Sequence, residues 1–341
     1  MKNYFSLFAC VFFTFFCLTE AVFAQRGTGT QGELVKLASP LPRNTDWGRA
    51  LDRMAGEWAR VTNNAVRLEI IHDGREGTEA RMLSSMATNN IQAAIFTSFG
   101  ISDFCPAVMT MSIPFHIRND NEFNEVFKEI QPILDAQIRR TNFHVVSWSN
   151  NGSVYIFSKN QVLVPDDLRR HRLASSPEAT SMNSVFRAMR FNLVEADNLE
   201  LGQRLASDMI NAIYQIPLAV APLRLHRSVP HMLDLPIAPV LGGIVINRVT
   251  WDKISPEHQR AITNVTQRIV AEFDATLPRA NANALAMMRR DGLTVNQLNG
   301  TQEAQWRTLV ETAMPSLLGA MYDRDIYNRI NVILARIRSG R

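Results

Sequence analysis

The chain of 341 residues carries 36 lysines and arginines against 32 aspartates and glutamates, a net charge of +4, with 46% hydrophobic residues. The length suits two medium domains or one large one. The basic pairs Arg139-Arg140, Arg169-Arg170 and Arg289-Arg290 are scattered, with no stripe interleaved with aromatics, which argues against a nucleic-acid partner.

Residues 1–24 hold Lys2, an apolar run rich in phenylalanine and the ending Val22-Phe23-Ala24. This pattern predicts a signal peptide, with a mature chain of 317 of the 341 residues beginning at Gln25. No later stretch approaches the ~18 continuous apolar residues of a membrane helix. Leu7-Phe8-Ala9-Cys10 resembles a lipoprotein cleavage site, but it leaves an apolar region of only about seven residues, so a lipid anchor is disfavoured. Cys10 and Cys17 leave with the signal peptide, and Cys105 alone forms no intrachain disulfide.

Residues 25–32 are polar and glycine-rich and predict a flexible leader. Leu34–Ala38 reads as a strand, Asp46–Thr62 as a helix hiding Trp47, Leu51, Met54 and Trp58, and Val66–Ile71 as an alternating strand. A helix over Thr78–Thr88 and a strand over Ile91–Thr97 follow. This alternation predicts right-handed crossovers in an α/β sheet, with Ser98-Phe99-Gly100 as the first loop facing a ligand. After a loop from Cys105 to Phe115 comes a helix from Asn121 to Thr141. Val145–Trp148 and Val154–Phe157 read as two strands separated by an Asn150-Asn151-Gly152 turn, where the chain crosses between lobes.

The second lobe repeats the alternation. A short turn opens at Pro165, and Asp166-Asp167 suits helix capping better than paired catalytic carboxylates, since adjacent residues do not face each other. A strand at Arg172–Ser175 runs into a helix over Glu178–Met189, with Ser176 as its cap and Pro177 at its first position. A strand at Leu193-Val194, a helix at Leu199–Ser207 and a strand at Asn211–Ile216 follow. The extended stretch Ile237–Asn247 returns to the first lobe. Ser255-Pro256-Glu257 starts a long helix that Pro278 kinks or breaks and that ends at Gly292. Helices over Gln302–Met321 and Arg324–Arg341 close the chain.

No nucleophile elbow, zinc-protease motif, phosphate-cradling loop or Cys-x-x-Cys occurs. His226 and His231 suit neither a helical metal pair nor a known ligand motif. Asp73–Gly77 reads as a surface turn, and Cys105 as a packed thiol.

Several short motifs, in order from Val35 to Trp306, carry a resemblance. They are Ser39-Pro40 with the Trp47 helix, Thr62-Asn63, Ser98-Phe99-Gly100 before Cys105-Pro106, Pro114-Phe115, Trp148 through Gly152, Val164-Pro165-Asp166-Asp167-Leu168, and Trp251–Ile254. With them the sequence resembles the DctP-type solute-binding proteins of TRAP (tripartite ATP-independent periplasmic) transporters. The resemblance implies a two-lobe α/β periplasmic binding protein with crossing hinge strands and a long helix spanning both lobes. It further implies no enzyme, no cofactor and no metal, and delivery of a small molecule to TRAP membrane subunits driven by an ion gradient. We expect lobe I at residues 33–149 plus 242–280 and lobe II at 150–241 plus 281–341.

One departure bears on the ligand. Organic-acid members approximate D-L-K-G-x-K-I-R, whose last arginine forms a bidentate pair with the substrate carboxylate. Here Asp167-Leu168-Arg169-Arg170-His171-Arg172-Leu173 puts Ala174 at that place. The clamp is missing, which points to a neutral, apolar pocket of Ser98, Phe99, Ala174, Met182, Tyr214, Gln215, Ile216 and Pro217, with Trp148 and Asn150 near the hinge. The ligand expected is hydrophobic or amphipathic, captured by burial. The alternative is an organic acid held by Arg172, which stands about 6.6 Å back along the strand. The missing arginine also fits a subgroup of the family associated with periplasmic tetratricopeptide-repeat proteins. A carrier or sensor without a permease keeps the same pocket, and a periplasmic enzyme needs distant groups such as Cys105 and His144 brought together.

Overall fold

The computed structural model describes residues 32–340 apart from Glu178 and Leu199. The expected signal peptide over residues 1–24 and nearly all of the leader lie outside the described residues. β1 (Glu33–Ala38), α1 (Asp46–Val61), β2 (Val66–Ile71), α2 (Glu79–Ala87) and β3 (Ala93–Thr97) follow in the order the periodicity predicts. Thr45 and Thr78 cap the two helices, accepting from the backbone N–H of Gly48 and Arg81. β1 pairs in parallel with both β2 and β3.

Ser98–Gly100, expected as a loop, instead opens a one-turn helix, α3 (Ser98–Ser102). Thr97 begins the turn at once, its hydroxyl accepting from the Phe99 N–H at 3.3 Å. A 3-10 turn over Pro106–Ser112 leads to α4 (Asp120–Ile138) and then to β4 (Phe143–Ser158).

Beyond it stand α5 (Pro165–Arg169), β5 (Leu173–Ser175), α6 (Thr180–Ala188), β6 (Leu193–Glu195), α7 (Leu201–Ala206), β7 (Ala212–Gln215) and α8 (Pro217–Val220). Asp167 caps α5 by reaching back to the N–H groups of Leu163 and Val164 at 3.0 and 3.1 Å. The expected cap of α6 is corrected: the helix begins at Thr180 behind Ala179. The Ser176 carbonyl instead accepts from the Ala179 N–H and from Asn183 Nδ2.

The chain continues through β8 (His231–Leu233), β9 (Ala238–Asn247), α9 (Arg248–Trp251), α10 (Pro256–Asp274), α11 (Leu277–Arg290), β10 (Thr294–Asn296), α12 (Gly300–Leu317) and α13 (Arg324–Arg338). The long helix breaks at Ala275-Thr276, and Pro278 falls in the first turn of its second half, as a residue lacking an N–H prefers. α13 buries Ile326, Ile330, Ile333 and Leu334, and its Arg336 and Arg338 pair with Glu129 and Glu122 of α4.

The sheet runs β2-β1-β3-β9-β4-β7-β5-β6, with β8 joining β4 and β10 joining β8. The fold is the expected two-lobe α/β architecture, and β4 and β9 are its crossing strands. They pair antiparallel from Phe143↔Asn247 to Val154↔Ala238. The turn expected at Asn150–Gly152 is therefore corrected to the middle of one long strand. Bulges between Val145 and Ser147 and between Asn150 and Ser153 absorb the surplus residues, and Gly152 takes a positive φ of 84°. The break between α10 and α11 stands beside this crossing, because the Asn150 N–H donates to Asp274, the last residue of α10, at 3.0 Å. No helix among the described residues is long and apolar enough to cross a membrane.

Candidate functional site

A cavity of about 250 Å³ opens beside the crossing strands. The end of β3 and the start of α3 bring Thr97 and Phe99, and the first residue of α2 brings Glu79. β4 contributes Val154 and β9 contributes Val240. From the other side come Ala174 at β5, the run Ile213–Ile216 at β7, and Ser176, Ala196 and Asn198 from the segments following β5 and β6. The wall is thus assembled at strand ends, where open α/β sheets hold ligands.

Five sequence-predicted residues meet here: Phe99, Ala174, Tyr214, Gln215 and Ile216. Ser98 and Pro217 are buried immediately behind the wall, in the first turns of α3 and α8. Met182 is a packed core residue of α6, 2% exposed. Trp148 and Asn150 belong to the hinge rather than to the wall. Trp148 donates from Nε1 to Asp135 at 2.9 Å and lines a separate groove with His144 and Trp251. Asn150 accepts from the Gly152 N–H through its side chain at 3.0 Å.

Arg172 is turned away from the cavity. Its guanidinium pairs with the Asp208 carboxylate at 3.1 Å and donates to the carbonyls of Asp208 and Met209. In this structure, then, it does not supply the missing clamp charge.

The chemistry of the wall follows from its residue types. Among the described lining residues there is no lysine, arginine or histidine, and Glu79 is the sole charged group. Its carboxylate accepts from the N–H of Thr97 at 3.0 Å, the N–H of Gly100 at 2.7 Å and the Thr97 hydroxyl at 3.1 Å. Burial pushes the Tyr214 phenol well above its ordinary pKa, so it is a neutral hydrogen-bonding group. Its ring meets Phe186 edge-on at 5.1 Å. Gln215 donates to Asn198 at 2.8 Å, which fixes a polar amide pair at the margin.

Glu79, Val154 and Asn198 escaped the sequence reading. Glu79 opens α2 and Asn198 lies between β6 and α7, boundaries that propensity places only to within a few residues, while Val154 lies inside β4, whose long pairing no local pattern marks. Outside the cavity, burial raises the Cys105 thiol to about 11, so it is a protonated, packed group. His144 is stacked on Trp251 at 4.4 Å. His226 is buried and braces Asp291 at 2.9 Å, a structural role.

Comparison with known proteins gives concordant results. The family model for bacterial extracellular solute-binding protein, family 7 (DctP), matches residues 37–318. A curated solute-binding protein of Sulfitobacter is 22% identical over 121 residues, 30% of this chain, and the match spans 37% of that relative's length. A TRAP periplasmic solute binding protein from Chromohalobacter salexigens, solved with bound D-glucuronate, superposes with a TM-score of 0.79 at 15% identity, covering 88% of this chain and 98% of that one. One from Desulfovibrio salexigens with bound orotic acid gives 0.79 at 14% identity over 90% and 99% of the two chains. An extracytoplasmic solute receptor from Bordetella pertussis binding pyroglutamic acid gives 0.77 at 14% over 89% and 99%. At such identities the structural likeness is one of fold.

Proposed function

The chain belongs to bacterial extracellular solute-binding protein family 7 (DctP), and from that premise we propose that it captures a small hydrophobic or amphipathic solute and delivers it to a TRAP permease. It is a solute receptor rather than an enzyme. The observation that carries the choice of solute is the cavity wall, which has no cation among its described residues and has Ala174 where a clamp arginine is expected. A buried carboxylate left without a partner costs several kcal/mol, whereas apolar area removed from water contributes about 25 cal/mol per Å².

Capture is a closure of the two lobes, divided as 33–149 with 242–280 and 150–241 with 281–341, about β4 and β9. α13 falls in the second of these by residue number but packs on α4 of the first. The TRAP membrane subunits are the partners the family implies; a periplasmic tetratricopeptide-repeat partner, like export by the N-terminal segment, belongs to the same proposal and is checked by co-purification from periplasm. A second reading, an organic acid, is favoured by the ligands of the solved relatives, which include glucuronate, orotic acid and pyroglutamic acid. It needs a cation other than Arg172 in its present pairing.

The test is gentle native mass spectrometry of the purified mature protein, followed by solvent extraction and identification of what is released. A neutral apolar or amphipathic molecule supports the first reading. A uronate or dicarboxylate overturns it in favour of the second.

A further inference from the structure

We propose that the free edge of β4 is a docking site for an extended, acidic peptide segment of a partner protein, which adds a strand beside β4. Between Phe143 and Asn150, β4 pairs on one side with β9, whereas β7 and β8 reach it only from Tyr155 onward. Its second edge therefore has no partner strand over that stretch among the described residues. Side chains close the N–H groups that bound the stretch: Phe143 donates to the Thr141 hydroxyl at 3.2 Å and Asn150 to the Asp274 carboxylate at 3.0 Å. Between these caps, Ser147 is the one described residue whose side chain bonds to the β4 backbone, donating to the Trp148 carbonyl at 3.2 Å. Alternate residues of an antiparallel edge strand turn N–H and C=O outward, so this stretch presents backbone groups ready to pair.

The edge is the floor of a groove of about 340 Å³, touched by every residue from His144 to Trp148. Successive side chains of a strand point to opposite faces, so a groove that meets all of them looks onto the edge and not onto a face. Val146 packs on the α10 side and Val145 and Trp148 on the α4 side, and α4 and α10 supply the walls. Five strand residues span about 17 Å, room for an equally short extended segment, whose main chain supplies the binding. The walls choose its charge. Arg139, which follows α4, and Arg260 of α10 line the groove, and neither guanidinium has an ion pair or hydrogen bond among the described residues. Asp135 is the sole carboxylate among the described lining residues, and Trp148 Nε1 at 2.9 Å and Gln131 Nε2 at 3.4 Å already hold it. A second copy of this chain would set these arginines against their own counterparts, so the groove suits an acidic strand instead.

The experiment is hydrogen–deuterium exchange of the mature protein with the probe peptide acetyl-Glu-Val-Thr-Val-Glu-amide. At ~1 mM peptide, exchange over residues 144–148 should slow at least about threefold, while β2, the opposite edge of the sheet, is unchanged. The same peptide N-methylated at its central residues keeps its charge but loses its central backbone donors, and it should not protect. A peptide with lysines in place of both glutamates should protect at least about threefold less. Arg139→Glu and Arg260→Glu, with the fold confirmed by circular dichroism, should each weaken the acidic peptide about threefold at low salt and favour the lysine peptide.

No protection over 144–148, equal protection of β2, or equal protection by the N-methylated peptide overturns strand addition at this edge. Equal protection by the lysine peptide, or arginine variants that bind the acidic peptide as the wild type does, overturns the choice of an acidic partner. Protection over 144–148 without peptide that disappears on dilution to the monomer means that a second copy covers the edge, and overturns the proposal as well.

Discussion

The hydroxyl of Tyr214 is raised in pKa by burial and stays protonated across the physiological range, so it can both donate to and accept from a neutral solute. A neutral hydrogen bond contributes about 0.5–1.5 kcal/mol net, and Tyr214→Phe should weaken the co-purifying solute about threefold to tenfold with the fold intact. Isothermal titration checks this, and unchanged affinity removes Tyr214 from the site. Ala174 is 5% exposed, on a short strand at the cavity wall. Ala174→Arg puts a long cation into a space of about 250 Å³ and should cost the same solute at least about tenfold in affinity; wild-type affinity in that variant contradicts the placement of the site. Both residues were legible in the sequence through the family resemblance, Ala174 at the place of the clamp arginine and Tyr214 near the polar position of a later strand. Arg172 shows the limit of such reading: its distance along the strand is visible in sequence, but its capture by Asp208 depends on a partner 36 residues away.

At the scale of elements, β4 explains most of what the sequence concealed. Asn150-Asn151-Gly152 is strong hairpin chemistry, yet the long partner β9 holds the segment in one strand and the bulges absorb the excess. A bulge also shifts the alternation of faces by one residue, so parity counted through Val145 puts Trp148 on the face of His144, whereas Trp148 packs with Val145 against the α4 side and meets Phe127 there. Helices with clear caps and wide apolar faces, α1 and α10 above all, needed no such long-range information. α12 was legible for the same reason, and its anchor is Trp306, fully buried against Phe115 and Phe191 and donating from Nε1 to the Leu163 carbonyl at 2.9 Å. Removing it leaves a large cavity and an unpaired carbonyl together. Trp306→Ala should therefore cost about 3–5 kcal/mol in urea or guanidinium unfolding; a loss under ~1 kcal/mol would contradict the packing described for α12.

For the whole molecule, the crossing of the lobes contains a carboxyl in an unfavourable place. Asp274 ends α10 beside the β4 bulge, accepts one backbone N–H from Asn150 and leaves Oδ1 buried without a partner. Burial pushes its pKa up to about 6 from 3.8, against a smaller lowering by the Asn150 bond. The native state therefore holds a proton between pH 4 and 6 that the unfolded chain has released. The associated stability is full below about pH 4 and is lost as pH rises through about 6; the shift corresponds to about 3 kcal/mol, which solvent screening of this half-buried group reduces to the order of 2 kcal/mol. Asp291 acts in the opposite sense: hydrogen bonds from Arg227 and His226 hold its pKa down to about 2, so its contribution is present at neutral pH and lost in acid. A raw stability profile mixes the two, and the difference between the wild type and Asp274→Asn separates them. The amide keeps an acceptor for the Asn150 N–H but carries no charge. Asp274→Asn should match the wild type near pH 4 and exceed it by about 2 kcal/mol at pH 7–8 in chemical denaturation. A constant difference across that range would mean that Asp274 does not change ionisation there. With the predicted outcome, the wild-type hinge carries an uncompensated charge at neutral pH, beside the bulge and the helix break about which the lobes are proposed to turn.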